Sequence, residues 1–273
     1  MELNKVIGLG VAGNFAGHLE QAGEAKDFAQ VKVADATAPK AIFPFYVPAA
    51  TAGFLSVFPL SSCRIQTTDS GDNLQIEPEV AILCDLTYRD GLVTELQPVA
   101  FAAYNDCSIR KPHARKISEK KNWGPNSKGV GPLLPLDSLL PGGVLDGYRI
   151  ASFLRRNGEL HPYGQDSAVV DYSYFHQRLV SWLIDKMNHQ QDEGPAEHIA
   201  GLLAQAGHPR QALISIGATR YTPFGESHYL QSGDESLVVL YPAADFTPEA
   251  VQAALAQGHL DAPGVSLLRQ QVV

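Results

Sequence analysis

The residues best equipped for chemistry lie in Gln75-Ile76-Glu77-Pro78-Glu79-Val80-Ala81-Ile82-Leu83. Strand side chains alternate faces, so Glu77 and Glu79 point the same way. Two carboxylates side by side next to an apolar run repel each other. Burial raises that cost unless a cation or a shared proton relieves it. Hard divalent cations take such oxygen ligands; a solvated strand end is the plainer reading. A third acid, Asp106, ends the apolar run 99–104 within Asn105-Asp106-Cys107-Ser108-Ile109-Arg110. It reads as a turn cap or as a site residue. His18 follows a glycine-rich segment. His113, His161, His176, His189, His198, His208, His228 and His259 show no paired metal spacing and read as surface or packing residues.

These residues need strands to hold them. Residues 74–86 and 97–104 are the strongest strand candidates. Residues 39–60 are apolar and proline-dense, which suits irregular packed structure better than helix. Residues 110–145 hold many Gly, Pro, Lys and Asn and read as a long loop. A strand is expected over 148–156, with Asn157-Gly158 as a hairpin turn and a partner strand from Glu159. Helical spacing of Tyr172, Phe175, Leu179, Trp182, Leu183 and Met187 predicts a helix over 171–188. Shorter helices are expected over 14–26, over 195–206 with Gly207 ending it, and after the Thr247 cap with Pro248. Residues 212–216 and 237–241 complete the strands. Strands outnumber helices and do not alternate with them regularly. The expected class is mixed α/β (α+β), mostly β, and not a doubly wound sheet.

The chain has 273 residues, 45% hydrophobic and 18% charged, with net charge -8. That is ordinary globular composition, with enough length to bury a core. The acidic balance, 29 acidic against 21 basic residues, argues against nucleic-acid or anionic-membrane partners. The basic run Arg110 to Lys116, continuing to Lys120 and Lys121, reads as a solvated loop or as a pocket wall facing an anionic substrate. Three scattered cysteines, Cys63, Cys84 and Cys107, offer neither a disulfide framework nor a zinc knuckle. No run of 18 apolar residues and no signal-peptide pattern is found, so a cytoplasmic protein is expected. Gly8-x-Gly10-x-x-Gly13 with Asp35 downstream superficially matches a dinucleotide fingerprint. No further β-α alternation follows to support it.

Taken together, the motifs resemble the fumarylacetoacetate hydrolase family. Its E-x-E strand is followed about 30 residues later by N-D-x-[ST]-x-R, and Glu77, Glu79, Asp106, Ser108 and Arg110 match in order. Its G-x-N-Y-x-x-H opening resembles the stretch from Gly10 through Asn14 to His18, with one extra residue. Its V-N-G-E pair resembles Arg156-Asn157-Gly158-Glu159. Its late T-G-T-P loop is similar to Ile216-Gly217-Ala218-Thr219-Arg220. The resemblance runs from about Lys5 to Tyr241. It implies one β-sandwich or roll domain over 1–273 with a few peripheral helices, an insertion at 189–211, and a homodimer that uses the apolar stretch 43–60. It further implies Mg2+ or Mn2+ (Ca2+ as a variant) on Glu77, Glu79 and Asp106. His18 would be the base and Lys121 or Lys128 the active-site lysine. Asn14, Arg110, Gly217 and Thr219 would contact substrate. Two departures stand out: Gln21 replaces a family Glu, and Val47 replaces a family lysine.

The implied activity is C–C hydrolysis, decarboxylation, hydration or tautomerisation of a small 2-oxo or β-dicarbonyl acid through a metal-stabilised enolate. The alternative is a non-catalytic metal- or ligand-binding descendant of the same fold. A nucleotide-binding oxidoreductase built on Gly8-x-Gly10-x-x-Gly13 is the third reading.

Overall fold

The acidic residues sit at one end of a long hairpin. The computed structural model describes residues 2–26, 28, 33, 35–111 and 114–273. In it the Pro78–Arg89 strand pairs antiparallel with Leu92–Asn105. Asp90 and Gly91 join them with φ of 53° and 80°. Positive φ at both positions gives the tight turn whose twist matches its strands. Val80, Ile82 and Cys84 face one side, and Glu79, Ala81 and Leu83 face the other, as a period of two requires.

This hairpin lies within an eight-stranded sheet. The spatial order is Ala41–Tyr46, Ile7–Ala12, Gln211–Ser215, Pro78–Arg89, Leu92–Asn105, Lys128–Val130 and Leu60–Ser61, with Leu134–Pro135 added to Leu92–Asn105. Ile7–Ala12 runs parallel to Gln211–Ser215, and Leu60–Ser61 runs parallel to Lys128–Val130; the other pairs are antiparallel. A second, five-stranded sheet runs Glu159–Ala168, Tyr148–Arg156, Glu235–Pro242, Ser266–Val272 and Arg64–Ile65. Val80, Ile82, Phe101 and Ile214 of the first sheet share one buried core with Ile150, Leu154, Val238 and Leu240 of the second. The architecture is therefore a mostly β sandwich with peripheral helices, as the sequence led us to expect.

The His176–His189 helix lays Leu179, Leu183 and Met187 on that core. Each buried side chain of this size stabilises by about 1.5–3 kcal/mol. The Pro248–Ala256 helix covers the outer face of the smaller sheet with Val251 and Leu255, capped by the Thr247 hydroxyl. Asn157 and Gly158 form the expected turn, with φ of 53° and 82°.

Several expectations are corrected. Residues 41–46 form a strand despite Pro44. It lies at a sheet edge, where a missing N–H is tolerated. The helix expected from residue 171 starts at His176, because Asn14 holds the main-chain N–H groups of Ser173 and Tyr174. The helix expected over 14–26 is only His18–Gln21, and that over 195–206 is Ile199–Gln205. Within 110–145 lie two short strands and the 3-10 turns Ile117–Lys120 and Val144–Gly147. The Ser266–Val272 strand was not foreseen. Gly8 and Gly10 are interior to a strand, and a Cβ there would lie 2.2 Å and 2.3 Å from the Phe45 and Phe43 rings. They make room for packing, so the dinucleotide reading fails. Asp35 accepts from Thr37, Tyr174 and Arg178 instead of facing a ligand. Residues 31, 32 and 34 before it, and His113, lie outside the described residues. Among the described residues, no helix is long and apolar enough to cross a membrane.

Candidate active site

Main-chain pairing brings the three acids together. The Pro78–Asn105 pair closes the ladder, and beyond it the Asp106 N–H donates to the Glu77 carbonyl at 2.9 Å. Asn105 Oδ1 accepts from the Glu77 N–H. Glu77 thus lies just before the strand and Glu79 within it, and both line the same cavity. One carboxylate oxygen from each of Glu77, Glu79 and Asp106 lies within 4.8 Å of the other two. All three are at most 3% exposed.

The basic run corrects the solvated-loop reading. Arg110, Lys120 and Lys121 turn inward onto carboxylates, while Arg115 stays exposed. Lys121 Nζ lies 2.6 Å from Glu77 Oε2 and 2.6 Å from Asp106 Oδ2. Lys128, fully buried, lies 3.3 Å from Asp106 Oδ1 and donates to the Cys107 carbonyl. Both lysines named from sequence therefore reach the acids, through Asp106. Arg110 Nη1 lies 2.8 Å from Glu77 Oε1 and 3.0 Å from Glu24 Oε1. Its Nη2 donates to the Tyr221 hydroxyl, and its Nε to Gln75.

Burial raises the proton affinity of Glu77, but the Lys121 ammonium and the Arg110 guanidinium outweigh it and hold the carboxyl well below its usual range. Burial, reinforced by the charges of Asp106 and Glu77, pushes Glu79 well up. Burial also raises Asp106, against the opposing pull of Lys121 and Lys128, and lowers the Lys128 ammonium. Glu79 Oε2 accepts from the Gly217 N–H at 2.7 Å. Gly217 has φ of 118°, a conformation open to glycine.

His18 is 4% exposed and lines the same cavity. Its Nδ1 lies 2.9 Å from the Thr219 carbonyl oxygen. Burial lowers its pKa below the usual 6.5. Thr219 therefore contributes its carbonyl, and its hydroxyl lies 3.5 Å from the Pro78 carbonyl. Asn14 bonds the main chain of Tyr174 and Ile216, so it pins loops and does not line the cavity. Gln21, in the family glutamate's place, clamps the main chain of Tyr221 and leaves His18 without a carboxylate partner at that position.

Three residues of this network were missed from sequence, Glu24, Gln75 and Tyr221, while Lys120 was named only within the basic run. Gln75 carried a signal, since alternation puts it on the face of Glu77. Glu24 carried none; it lies beyond the short helix and is paired by Arg110 and Lys120.

The donor set fits a hard divalent ion. Among the described side chains, Glu77 Oε1 and both Asp106 carboxylate oxygens accept no hydrogen bond of good geometry. Ligand oxygens around Mg2+, at about 2.0–2.1 Å from the ion, fall within such spacing. The cavity itself has about 20 Å³, room for roughly one water. Roomier depressions, of about 370 Å³, lie elsewhere; one is lined by Lys40, Lys186 and His189.

A family model described as "Family of unknown function (DUF5718)" matches residues 24–272. The chain belongs to that family. No curated protein matches it significantly. Similar solved structures include a fumarylacetoacetate hydrolase family protein from Yersinia pestis CO92, at 13% identity and a TM-score of 0.54, covering 98% of this chain and 94% of that one. A second is 2-keto-3-deoxy-D-arabinonate dehydratase complexed with magnesium and 2,5-dioxopentanoate, at 15% identity and 0.54, covering 97% and 72%. A third is 5-carboxymethyl-2-hydroxymuconate delta-isomerase from Mycobacterium smegmatis, at 16% identity and 0.51, covering 98% and 78%. This member of the DUF5718 family has a divergent fumarylacetoacetate hydrolase fold.

Proposed function

We propose that this DUF5718 protein is an enzyme acting on a small 2-oxo or β-dicarbonyl acid, by C–C hydrolysis, decarboxylation, hydration or tautomerisation. The observation that carries this is the buried His18, tied to Thr219 and lining the same cavity as Glu77, Glu79 and Asp106. Proteins of the same fold include the dehydratase bound to magnesium and an oxo compound. Glu77, Glu79 and Asp106 would hold Mg2+ or Mn2+, which supplies Lewis acidity toward the substrate oxygens. His18 takes the proton from substrate or water through Nε2, its Nδ1–H being bonded to Thr219. Lys128, behind Asp106, fixes that carboxylate. Arg110 has Glu24, Glu77, Gln75 and Tyr221 as partners, so it shapes the site before any substrate carboxylate arrives.

A cavity of about 20 Å³ holds no oxo acid. Admission requires the His18–Gln21 helix and the turn ending at Lys121 to separate, an opening step of the kind that gates many enzymes. The test is a panel of oxaloacetate, acylpyruvates and fumarylpyruvate-like compounds with Mg2+ or Mn2+. Turnover of one member supports the reading, and no turnover of any by the metal-supplied protein refutes it.

The second reading, a non-catalytic descendant, is favoured by one observation: the family lysine position is Val47, fully buried in the apolar core. The same fold-level reading proposes one domain over 1–273 with 189–211 inserted, and a homodimer. Within 43–60, Phe43, Phe45, Tyr46, Val47 and Leu55 are already buried in the protomer, which leaves Phe54 and Val57 exposed for a partner copy. A monomeric mass by light scattering at micromolar concentration would remove the dimer.

A further inference from the structure

The three acids of the triad do not have equivalent neighbours. Glu79 takes the Gly217 N–H, whereas Glu77 and Asp106 converge on one ammonium. Lys121 Nζ is 2.6 Å from an oxygen of each, and the residue is 3% exposed. An ion bridging the same two oxygens, at about 2.0–2.1 Å from each, would need the space that the nitrogen fills. The charges point the same way. Three buried carboxylates, Glu24, Glu77 and Asp106, are paired with four basic side chains, Arg110, Lys120, Lys121 and Lys128. Their charge is met without an added ion. A divalent ion beside an unmoved Lys121 would place like charges in contact away from water, where they are poorly screened.

We propose that Lys121 is the resident cation of the triad: its ammonium holds the place between Glu77 and Asp106, so that Lys121 and a divalent ion exclude each other and the ion enters only as Lys121 withdraws. The inference rests on the triad being a cation site and adds what fills it and what limits its affinity. Lys121 ends the Ile117–Lys120 turn, so its withdrawal moves a local segment and leaves the strands that carry Glu79 and Asn105 in place. It also lies 5.2 Å over the Phe43 ring, which adds a cation–π contact to the closed arrangement.

The test is Mn2+ titration of the full chain without substrate, followed by electron paramagnetic resonance of the free ion. Wild type is compared with Lys121→Met, Lys121→Gln and Lys121→Arg. Lys121→Met and Lys121→Gln should bind Mn2+ at least about 100-fold more tightly than wild type, a coupling near the upper end of those usual between ligands. Lys121→Arg should stay as weak as wild type, because it keeps the charge. Equal affinity of wild type and Lys121→Met overturns the proposal, as does failure of every variant to bind. Should the uncharged variants not fold, acetylation of wild-type lysines read by mass spectrometry decides. Lys121 labelling should rise several-fold at saturating Mn2+, and unchanged labelling at saturation overturns the proposal. A negative oxo-acid panel alongside tight Lys121→Met binding would sink the enzymatic reading alone. Turnover with tight wild-type binding would sink this one alone.

Discussion

The Nδ1 of His18 lies 2.9 Å from the main-chain oxygen of Thr219. A carbonyl oxygen only accepts, so Nδ1 carries the hydrogen and neutral His18 presents Nε2 as its basic atom. Two segments about 200 residues apart, the His18–Gln21 helix and the loop after the Gln211–Ser215 strand, are thereby joined at His18.

If His18 is the base, His18→Ala should cut turnover by roughly 100-fold or more, the factor general-base catalysis commonly supplies. Affinity for Mn2+ should change little. The pH dependence has a definite sign. Burial lowers the pKa of His18 below 6.5, so the base is unprotonated at neutral pH and activity should fall only in acid, below 6.5. The same shift contributes stability above pH 6.5 that is lost as pH falls toward the lower folded-state value, because the unfolded chain takes up the proton first. A rate profile already half lost at pH 7, or one unchanged in His18→Ala, removes His18 from the mechanism.

Much of the site was legible in the chain. Strand alternation put Glu77 and Glu79 on one face, the family resemblance joined Asp106 to them, and the structure places all three on one cavity. The Asn157-Gly158 turn was legible because turn chemistry is local. What escaped was non-local. The shortened helix at His176 follows from Asn14 bonds 160 residues away. The inward turn of Lys120 and Lys121 depends on Glu24 and Glu77. Gly8 and Gly10 looked like a phosphate loop because sequence spacing does not show the Phe43 and Phe45 rings lying over them.

Those rings make Gly10→Ala informative. The added Cβ would meet Phe43 at 2.3 Å, and Phe43 is 2% exposed within a packed strand. Overpacking of this kind typically costs about 1–3 kcal/mol. Urea unfolding should show the midpoint falling with little change in slope. Phe43→Leu should recover part of the loss by vacating ring volume. No loss in Gly10→Ala would mean that the packing over Ile7–Ala12 is looser than described.

Glu197 gives a second pH signature, away from the triad. It is 9% exposed, and both carboxylate oxygens lack a donor of good geometry. Burial pushes it up to about 7. The folded state therefore holds the proton more tightly than the unfolded chain, so its contribution is full in acid and lost as pH rises through about 7. Glu197→Gln should be more stable than wild type at pH 8, by about 1–3 kcal/mol given 1.36 kcal/mol for each unit of pKa difference. That advantage should shrink as pH falls and vanish only near pH 4, below the ordinary 4.5 of the unfolded chain. Thermal melts at the two pH values check it, and an equal gain at both would assign the effect to packing.

Arg110 is the strut on which the acidic cluster depends. Its Nη1 reaches Glu77 at 2.8 Å and Glu24 at 3.0 Å, both nearly buried, while Nη2 and Nε hold Tyr221 and Gln75. Removing one member of a buried pair commonly costs about 3–5 kcal/mol, because the other charge stays behind without water. Here Glu24 keeps Lys120 and Glu77 keeps Lys121, so Arg110→Met should fall near the low end, about 3 kcal/mol. The loss has an identifiable partner. If it reflects stranded charge, Arg110→Met combined with Glu24→Gln should be destabilised by less than the sum of the two single changes, with a coupling of about 0.5–3 kcal/mol. Additive losses in urea unfolding would place the role of Arg110 in packing against Tyr221 and not in charge.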